Sequence, residues 1–176
     1  MEPPQLAALQ TLSDASVLQA AGKVNAIFAW PGKPGYVEEK KPPPLTAAQK
    51  KFVESGKQLY LLICAACHQP TGLGQEGLAP PLAASDWAEG PESRLARIVL
   101  QGVGGPLSVN GKEYSLDMPG LGQVLNDEQI AQILSFVRRD LGNEAPVVST
   151  AAVKKIRDAT KDRGASWTAD ELQQIN

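Results

Sequence analysis

The sequence is short of the side chains that bind metals and carry redox chemistry. Among 176 residues it has one histidine, two cysteines and two methionines. It also lacks any apolar run near the roughly 20 residues that span a bilayer, so no transmembrane segment is expected. The opening "MEPPQLAALQ" has neither the basic nor the apolar stretch of a signal peptide, and Met1 reads as an initiator added to an excised or mature segment. A large charge of either sign is missing too: the formal net charge is −2 and the pI is near 5.5. Nothing therefore points to nucleic acid or an anionic membrane surface as a partner. What remains is a globular composition, 43% hydrophobic and 20% charged, long enough for one domain with appended segments.

Position turns the scarcity into a signal. Both cysteines and the only histidine fall within "CAACH", Cys64 to His68. A zinc site calls for about four N, S or O ligands, and this cluster offers three with no second Cys or His elsewhere. A thioredoxin-like redox pair belongs after a strand in a βαβ pattern, which is absent. Buried structural thiols are the plainest alternative. Cys-x-x-Cys-His, however, is the signature of c-type haem attachment. Residues three or four apart share a face near a helix end. The thiols of Cys64 and Cys67 can then meet the two haem vinyl groups as thioethers, and His68 can point its imidazole at the iron. Having no spare cysteine or histidine limits mis-ligation. The cluster reads as the attachment site of one haem c.

That reading makes a demand on the rest of the chain. A histidine-ligated iron that transfers electrons needs a sixth ligand, commonly a methionine thioether, which raises the potential. Met118 is the only methionine besides Met1, and it stands in "LDMPGLG", 50 residues after His68. Methionine is usually core filler. A solitary internal one, beside Pro119 in a Gly- and Pro-rich loop, is better explained as the second axial ligand. Pro119 should stiffen that loop, and Leu116 and Leu121 are expected to help keep water off the iron.

Taken in chain order, these stretches resemble class I (monohaem) cytochromes c over roughly residues 45–145. "GKQLYLLICAACH" is similar to the family's N-terminal helix running into the haem motif, and "GLAPPL" to its proline loop. "MPGLG" is similar to its methionine loop, and "LNDEQIAQILSFVRRDLGN" to its C-terminal helix. The resemblance implies an all-α class I cytochrome c fold, here with an N-terminal arm and a C-terminal helical extension. It implies that a proline carbonyl accepts a hydrogen bond from the proximal histidine, which would orient the ring and tune its basicity. Pro80 is the matching position, Pro81 the alternative, and Leu82 follows in the same haem-facing loop. It also implies a close helix crossing at Gly56 against an aromatic of the last helix, matched by Phe136. The plainer reading of Gly56 is a tolerated defect costing about 1 kcal/mol.

Three parts are expected. Residues 1–44 hold a short helix over Ser13–Gly22 and a Pro/Gly-rich arm, "WPGKPGYVEEKKPPP", whose prolines and glycines break regular structure. Residues 45–145 form the cytochrome c domain. Thr46 with Gln49 reads as a capping box opening a helix that carries Phe52, Tyr60 and Leu61 toward Cys64. Pro91 and Gly102 bracket a second helix, with Ile98 and Leu100 as haem-wall or core residues. Asn126 with Gln129 opens a third, with Ile130, Ile133, Leu134 and Val137 as its apolar stripe. Trp87 and the pair Arg94 and Arg97 are candidates to reach the haem propionates; a solvated face accounts equally well for the arginines. Residues 146–176 form the extension, with a helix capped at Ser149 or Thr150 and running to about Thr160, then a capping box of Thr168 and Glu171.

A minimal class I cytochrome needs no such flanks. The tail "GNEAPVVSTAAVKKIRDATKDRGASWTADEL" resembles that of cytochrome domains fused to periplasmic bacterial dehydrogenases. The resemblance implies an electron-transfer module with no substrate of its own, accepting electrons from an upstream dehydrogenase domain in the periplasm. A free-standing carrier between a dehydrogenase and a terminal oxidase is the alternative. A haem enzyme or gas sensor would need an open iron position, which Met118 would close. Residues 45–145 carry eight Lys and Arg against eleven Asp and Glu, a net of −3, which weakly favours a neutral or basic face on redox partner proteins.

Overall fold

The structure is a computed structural model that describes residues 41–115 and 117–175, together with Ala8, Thr11 and Val17. The expected helix over 13–22 apart from Val17, most of the arm, Met1 and Leu116 lie outside the described residues. In the unit Met1–Lys40, Ala8 and Val17 are helical, and Thr11 donates from its hydroxyl to the carbonyl of Ala8.

In the unit Lys41–Asn176, Thr46 sets the start of helix α1 (Ala47–Ile63). Its hydroxyl accepts from the Gln49 amide while the Gln49 side chain accepts from the Thr46 amide, so two otherwise orphaned donors are satisfied. After Cys64 comes one turn, α2 (Ala65–His68). Two short helices follow, α3 (Asp86–Glu89) and α4 (Glu92–Gln101), the latter entered from Pro91. Gly102 ends α4 with φ of 84°, and a Cβ there would fall on the Met118 carbonyl. Four short strands come next: β1 (Gly102–Val103), β2 (Leu107–Val109), β3 (Lys112–Tyr114) and β4 (Met118–Pro119). Strands β2 and β3 form a hairpin across Asn110-Gly111, and β1 pairs antiparallel with β4, Val103 opposite Met118. Helix α5 (Asp127–Arg139) opens on the reciprocal cap of Asn126 and Gln129. The last helices are α6 (Thr150–Ala159), capped by Ser149, and α7 (Ala169–Gln173), capped by Thr168 with Glu171. Helices dominate, as the expected all-α fold requires, with two short two-stranded sheets beside them.

The α1–α5 crossing brings backbone onto backbone. A Cβ on Gly56 would strike the carbonyl of Gln132, so only glycine admits this approach. Phe136 is not the group nearest Gly56. It stands one turn along α5 and meets Tyr60, one turn along α1, with ring centroids 5.1 Å apart and planes tilted by 51°. The face of α1 that carries Gly56 and Tyr60 turns inward, which leaves Leu61 exposed rather than directed toward Cys64.

The main core joins α4, α5 and the 146–176 segment. Ile130 and Ile133 pack in one cluster with Leu95, Val99 and Leu100, and with Val148, Val153, Ile156 and Leu172 from the expected extension. Val153 and Leu172 are fully buried, each worth about 1.5–3 kcal/mol relative to exposure. Two buried polar side chains tie the loops to α5. Arg138 donates to the carbonyls of Ala88, Gly90 and Pro146. Asn143 donates to those of Leu82 and Val137 and accepts from the Ser85 amide.

Gly56→Leu should lower the denaturant midpoint by at least the about 1–3 kcal/mol of overpacking, because backbone on α5 cannot yield as a side chain would. An unchanged midpoint in equilibrium melts would refute the crossing.

Candidate functional site

The turn that carries the cysteines and histidine is held in place by its neighbours. His68 donates from its amide to the Cys64 carbonyl at 2.9 Å, closing a helical turn around the motif. Gln69 then leaves the helix with φ of 66° and ψ of 152°, a conformation that costs a non-glycine residue of order 1–3 kcal/mol. The Tyr60 hydroxyl donates to the Gln69 carbonyl at 2.7 Å, and Gly74 donates to that of His68 at 3.0 Å. The turn is therefore stopped just where the imidazole must emerge.

His68 is 7% exposed. Its Nδ1 lies 2.9 Å from the Pro80 carbonyl oxygen, an atom that can only accept, so Nδ1 carries the hydrogen. Nε2 is left with its lone pair. Burial holds the imidazole below its ordinary pKa, with the Pro80 hydrogen bond opposing. A neutral ring with Nδ1–H committed to a carbonyl is the usual state of a metal-binding histidine.

A cavity of about 950 Å³, counting its solvent-open part, is bounded by His68, Cys67 and Met118 among mostly apolar side chains. Pro80, Leu82 and Trp87 also line it, as do Ile98 and Val109. Cys64 does not; it is half-buried and touches both hydrophobic clusters. Met118 reaches the cavity from β4, half-buried, with its backbone laddered to Val103.

Several expected roles fall elsewhere. Arg97 does not line the cavity: its guanidinium lies 5.6 Å from the Trp167 ring centre and donates to the Ser93 carbonyl. Trp87 presents its ring, but its indole N–H is spent on the Ser108 carbonyl at 2.7 Å. Arg94 stacks over Trp87 at 4.3 Å instead of entering the cavity. Leu121 packs on the main core and is not a wall residue. Asn143, which fixes Leu82 and Ser85, escaped the sequence reading because nothing near it in the chain signals a buried amide.

The donor set fits haem better than its rivals. Ser85 lines the cavity with its hydroxyl buried and without a hydrogen-bond partner, a donor that a polar edge of a large apolar group would satisfy. A redox-active thiol needs a lowered pKa. That of Cys64 is pushed up to about 11 by burial and by Cys67. The motif also follows a helix rather than a strand. Among the described residues, no group of three His, Cys, Asp or Glu is placed to hold a bare metal ion.

Comparison with known proteins agrees with this reading. The Cytochrome c family profile matches residues 53–139. The cytochrome c subunit of a quinone-dependent alcohol dehydrogenase from Gluconacetobacter polyoxogenes is 38% identical over 106 residues, 58% of this chain and 22% of that protein. The cytochrome c subunit of gluconate 2-dehydrogenase from Pantoea cypripedii is 33% identical over 110 residues, 62% of this chain and 24% of that one. Cytochrome c-552 of Thermus thermophilus is 36% identical over 111 residues, 58% of this chain but 83% of its own length. The chain thus spans under a quarter of the two dehydrogenase subunits.

Tyr60→Phe should keep the contact with Phe136 and lose the bond to Gln69, costing about 0.5–1.5 kcal/mol in denaturant melts. Burial pushes the phenol up to about 12. Folded Tyr60 therefore keeps a proton that the unfolded chain releases near pH ~10. Its stabilisation is complete below about pH 10 and lost as pH rises toward 12, so the variant should lose less stability over that interval than the wild type.

Proposed function

The chain belongs to the cytochrome c family, and from that premise we propose that it is the electron-accepting module of a larger periplasmic dehydrogenase, with His68 and Met118 as axial ligands. As a family member it carries covalently bound haem c and works by haem-based electron transfer. The observation that supports the ligand pair is that His68, with Nε2 free, and Met118 line one apolar cavity.

Bound there, haem c supplies a one-electron Fe(III)/Fe(II) couple. The protein's residues do the rest. Cys64 and Cys67 supply the thioether sulfurs. The Pro80 carbonyl fixes the ring plane of His68 and raises its basicity. The Met118 thioether, a soft donor, favours the reduced state. Leu82, Trp87, Ile98 and Val109 keep water from the cavity wall, and the Ser85 hydroxyl is available to a propionate. No side chain is assigned to bond-making chemistry, which in this proposal sits on a separate dehydrogenase domain.

The dehydrogenase assignment is supported by relatives named as dehydrogenase cytochrome subunits, of which this chain matches a fraction. The 83% coverage of cytochrome c-552 favours a second reading, a free-standing carrier. Both place the protein outside the bacterial cytoplasm, where thioethers to haem are formed.

Cys64→Ala with Cys67→Ala should leave no haem on the chain after acid–acetone extraction and haem staining of a denaturing gel. A wild-type band that loses its haem on extraction would end the attachment reading. Met118→Ala should lower the reduction potential, remove the near-infrared sulfur-to-iron band of the oxidised protein and admit cyanide or carbon monoxide. If band and potential persist, another group ligates the iron.

A further inference from the structure

We propose that Arg157, in the segment beyond the Cytochrome c match, is a positioning residue for Met118, tying the trailing part of the methionine loop to α6 while Trp167 of the same segment holds its leading end. The proposal rests on the reading of Met118 as an axial ligand. It goes beyond that reading in assigning the loop's rigidity to residues outside the family match, which ends at 139.

Arg157 leaves α6 and spreads its guanidinium over three acceptors. One Nη donates to the Gly122 carbonyl, the other to the Leu125 carbonyl at 2.8 Å, and Nε to the Asp127 carboxylate at 2.6 Å. Gly122 and Leu125 follow Met118 in its own loop. Arg157 is about three-quarters buried, with 28% of its side chain exposed, so these bonds are largely shielded from water. A guanidinium presents its donors in a fixed planar fork, so it serves three separated acceptors with little further freedom to lose.

The leading end of the loop is held by a second device from the same segment. Met118 pairs with Val103 across β1 and β4. On its other edge Val103 is bridged by Trp167, whose amide donates to Gly102 at 3.0 Å and whose carbonyl accepts from Gly104 at 2.8 Å. The Trp167 indole donates to Gln101, and its ring lies 3.6 Å under the Arg163 guanidinium. Toward α4, Leu121 and Gly122 donate to the carbonyls of Val99 and Leu100. Without Arg157 the loop would keep those bonds and the Met118–Val103 pairing, but its trailing part would lose both carbonyl ties to α6.

A loop held on both sides has already given up its conformational freedom, so the thioether is presented at little further entropic cost. Weakening one side raises the fraction of molecules with the sulfur displaced. An exogenous ligand for oxidised iron then binds more tightly in proportion to that fraction.

The test uses the holoprotein and imidazole as probe. In Arg157→Ala the affinity of the oxidised protein for imidazole should rise about tenfold, the equivalent of roughly one charge-assisted hydrogen bond, with a weaker near-infrared sulfur band. Arg157→Lys keeps the charge and stem but not the fork, and should shift the same way by less. Val153→Ala, on the same helix but directed into the core, should lower the denaturant midpoint and leave imidazole affinity unchanged. Unchanged affinity in both Arg157 variants, or an equal rise in Val153→Ala, would overturn the positioning role. Absence of the sulfur band from the wild-type protein would instead overturn the Met118 reading, and the clamp with it.

Discussion

The contact of α1 with α5 at Gly56 is the constraint on which the site depends. Because backbone meets backbone there, the next turn of each helix brings Tyr60 against Phe136 and buries the phenol completely. A buried phenolic hydroxyl must find an acceptor. The one it finds is the carbonyl of Gln69, whose unusual backbone conformation ends the helical turn directly after His68. Helix packing, a satisfied hydroxyl and the exit angle of an imidazole are thus a single chain of cause. A side chain at position 56 would disturb the last of these through the first.

The two walls of the cavity are built by different means. On the histidine side, Cys67, His68 and Pro80 lie close in sequence and are fixed by one helical turn, one strained residue and one carbonyl. Asn143 adds a distant tie, gripping Leu82 and Ser85 from beyond α5, and the Ala84 amide adds another to the Leu141 carbonyl. On the methionine side almost every tie is tertiary: the end of α4, the pairing with Val103, and the α6–α7 segment through Arg157 and Trp167. That segment also shares the main hydrophobic core, so it cannot leave without uncovering Ile133 and Val99.

What could be read from the sequence was whatever chemistry confines to a few adjacent residues. "CAACH" is legible because two thioethers and a ligand fix their own spacing. The caps at Thr46, Asn126 and Thr168 are legible because a side chain three residues on must satisfy the orphaned amide. Gly56 was legible as a close approach, although its neighbour proved to be a carbonyl and not the ring of Phe136. Leu61 was misjudged because apolar spacing alone does not phase a helix whose inner face is set by a glycine. Arg97 was left open between a propionate and a solvated face, because the aromatic it covers, Trp167, lies far along the chain. The Asn110-Gly111 pair between Val109 and Lys112 carried a hairpin signal that the helical reading passed over. Arg157 and Asn143 act over separations at which no local pattern exists.

The uneven reach of these ties sets an order for assembly. His68 meets Pro80 across a separation of 12 residues, whereas Gly122 meets Arg157 across 35 and Gln101 meets Trp167 across 66. Closing a 35-residue loop costs about 1 kcal/mol more entropy than closing one of 12. A chain emerging from its N-terminus also presents the short-range partners first. Once α5 has met α1, the histidine wall can therefore form while the methionine wall still waits for α6 and α7, leaving one face of the nascent cavity open during the interval in which a large planar group must enter.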